Sequence, residues 1–158
     1  MYRIGHGYDQ HPLVSGRALW LGGIRIEFAR GLSGHSDGDV LTHALCNALL
    51  GALGKGDLGR HFPDSDARWR DVRSLELLDR VVEWVREGFE VVNVDLTLIA
   101  SEPVVAPFLP AIKGQLALSV GVSEELVNVK ASNPEGMGWL GRGEGMAAHC
   151  VVLLREKR

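Results

Sequence analysis

Residues 35–53 constrain this chain more than any other stretch, because two patterns meet there. The segment His35-Ser36-Asp37-Gly38-Asp39-Val40-Leu41-Thr42-His43 packs two histidines, two aspartates and a serine into one short run. From Asp39 to Leu53 the apolar residues Leu41, Leu45, Ala48, Leu49 and Ala52 recur at the spacing of one helix face. Asp39, His43 and Asn47 repeat every four residues and gather on another side of the same helix. The pattern predicts a helix with one face for the core and one for chemistry, stopped by Gly54 and Gly56.

A second cluster, Gly5-His6-Gly7-Tyr8-Asp9-Gln10-His11, lies near the N-terminus. On a strand, period-two alternation puts Asp9 and His11 on the same face. With His43 they form a set of one carboxylate and two imidazoles, which zinc accepts while keeping a fourth position open. Taken singly, Asp9 and His11 also suit the exposed end of a strand, and His43 suits a packed helix histidine. No HExxH or paired-cysteine motif decides between these readings.

The rest of the chain reads as one α/β (α+β) domain, 1–158. Tyr2 to Tyr8 predicts a short strand, and Ala18 to Phe28 a hairpin turning at Gly22-Gly23. Gly56 to Asp66 is polar and aperiodic, which predicts a loop. Val72 to Glu87 predicts a helix with Leu75, Leu78, Val82 and Val85 inward and Gly88 as its cap. Val91 to Ala100 predicts a strand. Pro103, Pro107 and Pro110 bound a loop entering a third helix, which runs to about Val120 and ends at Gly121, and Ser123 starts a short turn. Val127 to Ala131 and Ala147 to Leu154 predict the last two strands, and Glu156-Lys157-Arg158 a solvated tail. The expected order is βββ-α-α-β-α-β-β, a mixed sheet with helices on one face.

Composition excludes more than it assigns. A net charge of -3 gives no footing for nucleic acid or an anionic membrane surface. No apolar run approaches the roughly 20 residues that span a bilayer, and the start MYRIGHGYDQ has no apolar leader region. Cys46 and Cys150 form no CxxC pair and fall in apolar patterns, so buried thiols and a cytoplasmic location are expected. Asp57, Asp64 and Asp66 suit turns. Arg142 and Glu144, isolated among Gly141, Gly143 and Gly145, suit a surface ion pair, an oxyanion contact or a subunit contact.

Six motifs stand in order along the chain: GHGYDQH, GHSDGDVLTH, GDLGRHFPDSD, NVDLTLIA, VNVKA and GRGEG. On these the chain resembles the 2-C-methyl-D-erythritol 2,4-cyclodiphosphate synthase family over essentially its whole length. The resemblance implies conversion of 4-diphosphocytidyl-2-C-methyl-D-erythritol 2-phosphate to the cyclic diphosphate with release of CMP, in non-mevalonate isoprenoid biosynthesis. It implies a homotrimer with active sites between subunits.

Residue by residue, the resemblance implies zinc on Asp9, His11 and His43, and a Mg2+ or Mn2+ ion on Glu135 bridging the substrate diphosphate. His35 and Ser36 would contact the phosphates and methylerythritol, with His35 and Asn133 stabilising the transition state. Asp57, Leu58 and Gly59 would touch the ribose and diol, and Phe62, Pro63, Asp64, Ser65 and Asp66 would form a flexible substrate loop. Ala100, Pro103, Val104, Val105 and Ala106 would form the cytosine pocket. Ser132, Asn133, Pro134, Glu135 and Arg142 would close the diphosphate site. Trp139, Arg142 and Glu144 would surround a threefold-axis cavity for an isoprenoid diphosphate.

This chain departs from the family pattern at Ser132-Asn133-Pro134, where threonines are usual, at Asn47 for aspartate, at Val104 for lysine and at Trp139 for another aromatic. Two rival functions use the same residues: a metal-dependent phosphohydrolase, and a non-catalytic trimer binding isoprenoid diphosphate. Against the first, no second carboxylate–histidine set is evident; against the second, the intact Asp9, His11, His43, Asp57 and Glu135.

Overall fold

Gly5 and Gly7 set the distance between the first strand and the first helix. In the computed structural model, which describes residues 1–157, β1 spans Tyr2–Ser15 and α1 spans Val40–Leu53. A Cβ built on Gly5 would stand 1.9 Å from the Ala48 carbonyl oxygen, and one on Gly7 1.9 Å from that of Ala44. Only glycine permits this approach. The helix therefore lies backbone to backbone on the strand that carries Asp9 and His11.

The centre of the main sheet is β7 (Gly145–Glu156), antiparallel to β1 on one side and to β5 (Phe89–Ile99) on the other. Strand β6 (Val127–Ser132) runs parallel to β5, and β4 (Arg30–Leu32) pairs with the far end of β1. The strand order is β4-β1-β7-β5-β6. The pair β2 (Leu19–Leu21) and β3 (Ile24–Ile26) forms a separate hairpin whose turn, Gly22 and Gly23, has positive φ at both residues. One sheet face is buried beneath α1, α3 (Ser74–Arg86) and α4 (Leu109–Val120), with Val94, Leu96, Leu98, Cys150, Val152 and Leu154 in the core. The opposite face stays open and carries exposed Tyr2, Ile4, Tyr8 and Val151. The chain is thus a single-domain α/β fold with a mixed sheet.

Several expectations need correction. The first strand continues past Tyr8 to Ser15, because its register with β7 holds as far as Pro12 opposite Gly145 and then passes to β4. The strand β4 was not expected; three residues carry no period. The region 56–66 is not all loop: Asp57 caps a helical turn, α2 (Leu58–His61), by accepting from the Arg60 amide at 2.9 Å. The glycine-rich stretch holds another turn, α5 (Gly138–Gly141). Helix α3 starts at Ser74 rather than Val72 and ends at Arg86, with Glu87 rather than Gly88 in the cap position. The tail is partly structured, since Glu156 belongs to β7 and Lys157 donates to the Arg86 carbonyl at 2.6 Å; Arg158 lies outside the described residues. Both cysteines are buried and unpaired, as expected.

Candidate metal centre and substrate pocket

Three side chains from two elements converge where α1 meets β1. His11 Nε2 lies 2.8 Å from Asp9 Oδ2, His43 Nδ1 lies 3.0 Å from the same oxygen, and the two imidazole nitrogens are 3.1 Å apart. Asp9 and His11 share the helix-facing side of β1 by strand alternation, and Gly5 and Gly7 let α1 bring His43 down to them.

The second nitrogen of each ring is already engaged. His11 Nδ1 donates to the Ser33 carbonyl at 2.7 Å, so in the neutral ring the lone pair a metal would take is on Nε2. His43 Nε2 faces the hydroxyls of Ser74 at 2.8 Å and Ser36 at 3.0 Å. Burial works against the Asp9 carboxylate, yet the hydrogen bonds and charge that the His11 and His43 rings supply when protonated hold it at about 2. Burial likewise disfavours the charged form of His11, but the Asp9 contact and the Ser33 carbonyl raise it above the usual imidazole value. One carboxylate oxygen and two imidazole nitrogens within 4.8 Å of one another fit a divalent transition metal. They are the one such cluster among the described residues.

Over this cluster lies a cavity of about 460 Å³. Of the expected substrate residues, His35, Ser36, Asp57, Leu58, Gly59, Phe62 and Asp64 line it with Asp9, His11 and His43. Pro63 and Ser65 do not. Asp66 caps the 3-10 turn Ala67–Trp69 and pairs with Arg68 instead. The Nε2 atom of His35 is buried and has no hydrogen-bond partner. Arg17 holds the backbone on either side of His35, donating to the carbonyls of Gly34 at 3.3 Å and Ser36 at 2.7 Å.

Asn47 sits on the chemical face as expected. It accepts from the Leu58 amide at 2.8 Å and donates to the Tyr8 carbonyl at 3.4 Å, tying α2 to β1. Asp39 does not belong there. It is fully buried as the cap of α1, accepting from Thr42 and from the amides of Gly22 and Gly23 at 2.8 and 2.7 Å. Helical spacing placed it beside His43, but a capping residue turns its side chain back onto the helix end.

The remaining expected residues gather elsewhere on the chain. Ala100 donates from its amide to the Ser132 carbonyl at 3.2 Å, so Ala100–Ala106 and Ser132–Glu135 follow the neighbouring ends of parallel β5 and β6. There Val105 is buried, Val104 is 77% exposed, and Asn133 accepts from the Glu135 amide at 2.7 Å. Pro103 and Ala106 lie in the same stretch, with Ala106 opening a 3-10 turn. Glu135 is exposed and has left-handed backbone at φ 54°. Trp139 lines a smaller cavity of about 270 Å³ with Gln10, His11, Pro12 and Glu144, and Arg142 Nε donates to Glu144 at 2.6 Å. None of Ala100–Ala106, Ser132–Glu135, Trp139 and Arg142 lines the cavity over the triad.

Sequence reasoning missed Trp69 and Leu77 in the cavity wall, and Ser74 behind His43. Trp69 meets Phe62 edge-on at 5.0 Å between ring centres, and Phe62 stacks on Trp84 at 6.0 Å, which pins this wall to α3. The aromatic residues alone carried no signal of that contact.

An Asp-His-His set that could hold a metal ion, beneath a cavity on a mixed sheet, is the arrangement of an α/β enzyme with a candidate divalent-metal site. The model of the YgbB family matches residues 2–155, and the chain belongs to that family. The 2-C-methyl-D-erythritol 2,4-cyclodiphosphate synthase of Thioalkalivibrio sulfidiphilus is 53% identical over 98% of this chain and 97% of its own. Among solved structures, the bifunctional IspDF of Campylobacter jejuni superposes with a TM-score of 0.95 at 39% identity, over 99% of this chain and 43% of that longer one. IspF of Plasmodium falciparum, in complex with CDP, superposes with a TM-score of 0.88 at 28% identity, over 99% of this chain and 97% of its own.

Proposed function

We propose that this chain converts 4-diphosphocytidyl-2-C-methyl-D-erythritol 2-phosphate to 2-C-methyl-D-erythritol 2,4-cyclodiphosphate and CMP, as a phosphorus–oxygen lyase of non-mevalonate isoprenoid biosynthesis. The observation that carries this reading is the convergence of Asp9, His11 and His43 beneath a cavity lined by His35, Ser36 and Asp57, in a chain of this family. An oxygen of the 2-phosphate attacks the β-phosphorus. The bond from that phosphorus to the bridging oxygen breaks, and CMP leaves with the electron pair. Anionic groups must be brought together, so positioning and charge neutralisation carry most of the rate.

Asp9, His11 and His43 would hold zinc, which when bound supplies a Lewis acid that polarises and orients a phosphate oxygen. His35 lines the cavity on a backbone held by Arg17, and its buried Nε2, unpartnered within the chain, would turn to a substrate phosphate. Asp57 uses one carboxylate oxygen for its cap, and the other suits a sugar hydroxyl. Glu135 would supply a carboxylate ligand to Mg2+ or Mn2+, which when bound neutralises charge on the diphosphate.

The working unit is a homotrimer. Two groups of expected site residues lie apart on one chain, so a neighbouring subunit brings Ala100–Ala106 and Ser132–Glu135 to the triad's cavity. The open sheet face, with Ile4 73% exposed, supplies apolar surface for that assembly. Trp139, Arg142 and Glu144 then surround the threefold axis, where an isoprenoid diphosphate would bind. Two buried free thiols suit a reducing cytoplasm, and no helix among the described residues is long and apolar enough to cross a membrane.

The test is CMP release from the diphosphocytidyl substrate, followed chromatographically. Release is expected with zinc and magnesium and should be lost on chelation and in Asp9→Asn at unchanged fold. Release that survives both would overturn the metal reading.

A further inference from the structure

The back of His43 is built as carefully as its front. Its Nε2 lies 2.8 Å from Ser74 Oγ, and Ser74 is fully buried at the start of α3. The Ser74 hydroxyl also donates to Asp37 Oδ1. Asp37 accepts in addition from the Ser74 amide at 3.0 Å and the Asp39 amide at 3.1 Å, and its carboxylate is 8% exposed. Arg73 Nε stands 3.8 Å from its other oxygen.

The direction of these bonds follows from chemistry. A carboxylate accepts and cannot donate, so the Ser74 proton goes to Asp37. The Ser74 oxygen is then an acceptor, and the atom facing it, His43 Nε2, must carry a hydrogen. That leaves the lone pair of His43 on Nδ1, aimed at Asp9 and His11. We propose that Ser74 and Asp37 are positioning residues, a serine-bridged carboxylate that fixes the tautomer and ring orientation of His43 for metal binding. The inference rests on the reading of Asp9, His11 and His43 as a metal site.

The arrangement also divides labour between two serines. Ser36 Oγ lies 3.0 Å from the same His43 nitrogen and 3.3 Å from Ser74 Oγ, and it lines the cavity. With the His43 proton committed to Ser74, the Ser36 hydroxyl keeps its own proton for a ligand. Asp37 does a second job. The residue before α3, Arg73, makes no side-chain cap, and Asp37 caps the Ser74 amide from another segment. The start of α3 and the orientation of the metal ligand are therefore set by one carboxylate.

Asp37→Asn gives a sharp test because it keeps the shape and reverses the polarity. The NH2 of the introduced carboxamide meets two donors at the Oδ2 position, the Ser74 amide and Arg73, but only the Asp39 amide at the Oδ1 position, where the Ser74 hydroxyl can turn to accept. It settles beside Ser74 Oγ, which must then donate to His43 Nε2 and drive the proton to Nδ1. The measurement is a long-range proton–nitrogen correlation spectrum of histidine-labelled, metal-free protein at alkaline pH, paired with a cobalt titration. The wild type is expected to show His43 as the Nε2–H tautomer. Asp37→Asn should shift it to Nδ1–H, Ser74→Ala should leave a mixture, and Ser74→Thr should restore the wild-type form. Cobalt affinity should fall about ten- to a hundredfold in Asp37→Asn and Ser74→Ala and recover in Ser74→Thr. An unchanged tautomer and affinity in both weakened variants, with native thermal unfolding, would overturn the proposal. A wild type that holds the tautomer but takes up no cobalt would instead overturn the metal reading and leave the network standing.

Discussion

The Ala44 carbonyl oxygen occupies the space a Cβ on Gly7 would need, at 1.9 Å. Strand and helix meet backbone to backbone at this point, two residues from Asp9 and one from His43. Gly7→Ala should cost more than about 3 kcal/mol, above the usual overpacking penalty because backbone rather than side chain must move. It should also abolish metal binding by displacing His43. Gly88→Ala is the control, since nothing lies within 4 Å of a Cβ there. Urea unfolding of both variants, with a metal titration, checks the pair.

The pH dependence of the metal-free and metal-loaded protein should run in opposite senses. Asp9 is lowered from 3.8 to about 2, so its contribution is present above the unfolded value and is lost as pH falls through about 2. His11 is raised above 6.5, so its contribution is present below that value and is lost as pH rises through the folded one. The metal-free site therefore stabilises most between 3.8 and 6.5. Zinc requires His11 neutral and displaces its proton. The increase in Tm on adding zinc should be larger at about pH 8 than at about pH 6. An increase that shrinks with rising pH would contradict this geometry.

The proposed sharing of one site between two subunits predicts complementation. Asp9→Ala and Glu135→Ala should each be inactive alone. Co-folded in equal amounts, they should recover roughly a quarter of wild-type activity, because random mixing pairs one intact half with the other in that fraction of interfaces. No recovery, with mixed assemblies shown by mass spectrometry, would mean that each chain carries its whole site.

Burial raises the thiol of Cys46, and burial chiefly raises that of Cys150 as well. Neither should react with a thiol reagent at neutral pH in the native protein, and both should react on unfolding in guanidinium. Fast native labelling of either one would show that α1 opens from the sheet.

The parts of this molecule legible in the sequence are those whose pattern is local. Helix α1 announced itself through helical spacing and its glycine stop, and Asp9 and His11 through alternation on one strand. Gly5 and Gly7 were visible as residues, but their reason, the carbonyls of Ala44 and Ala48, lies across the fold. Asp39 misled because periodicity puts it beside His43 while capping turns it away. Strand β4 and the turns α2 and α5 are too short to show a period. Ser74 and Asp37 were separated by 36 residues, α1 and two short turns among them, so no spacing could pair them. The proposed second half of the site, Ala100–Ala106 and Ser132–Glu135, rests only on the family motifs, since on one chain it lies away from the triad.

In the proposed reaction the nucleophile is the substrate's own phosphate rather than water. Phosphorus NMR of the protein with diphosphocytidyl methylerythritol phosphate, zinc and magnesium tests it directly. The predicted result is CMP together with a cyclic diphosphate, formed in equal amounts. CMP accompanied only by linear phosphates would make the chain a hydrolase and contradict the account.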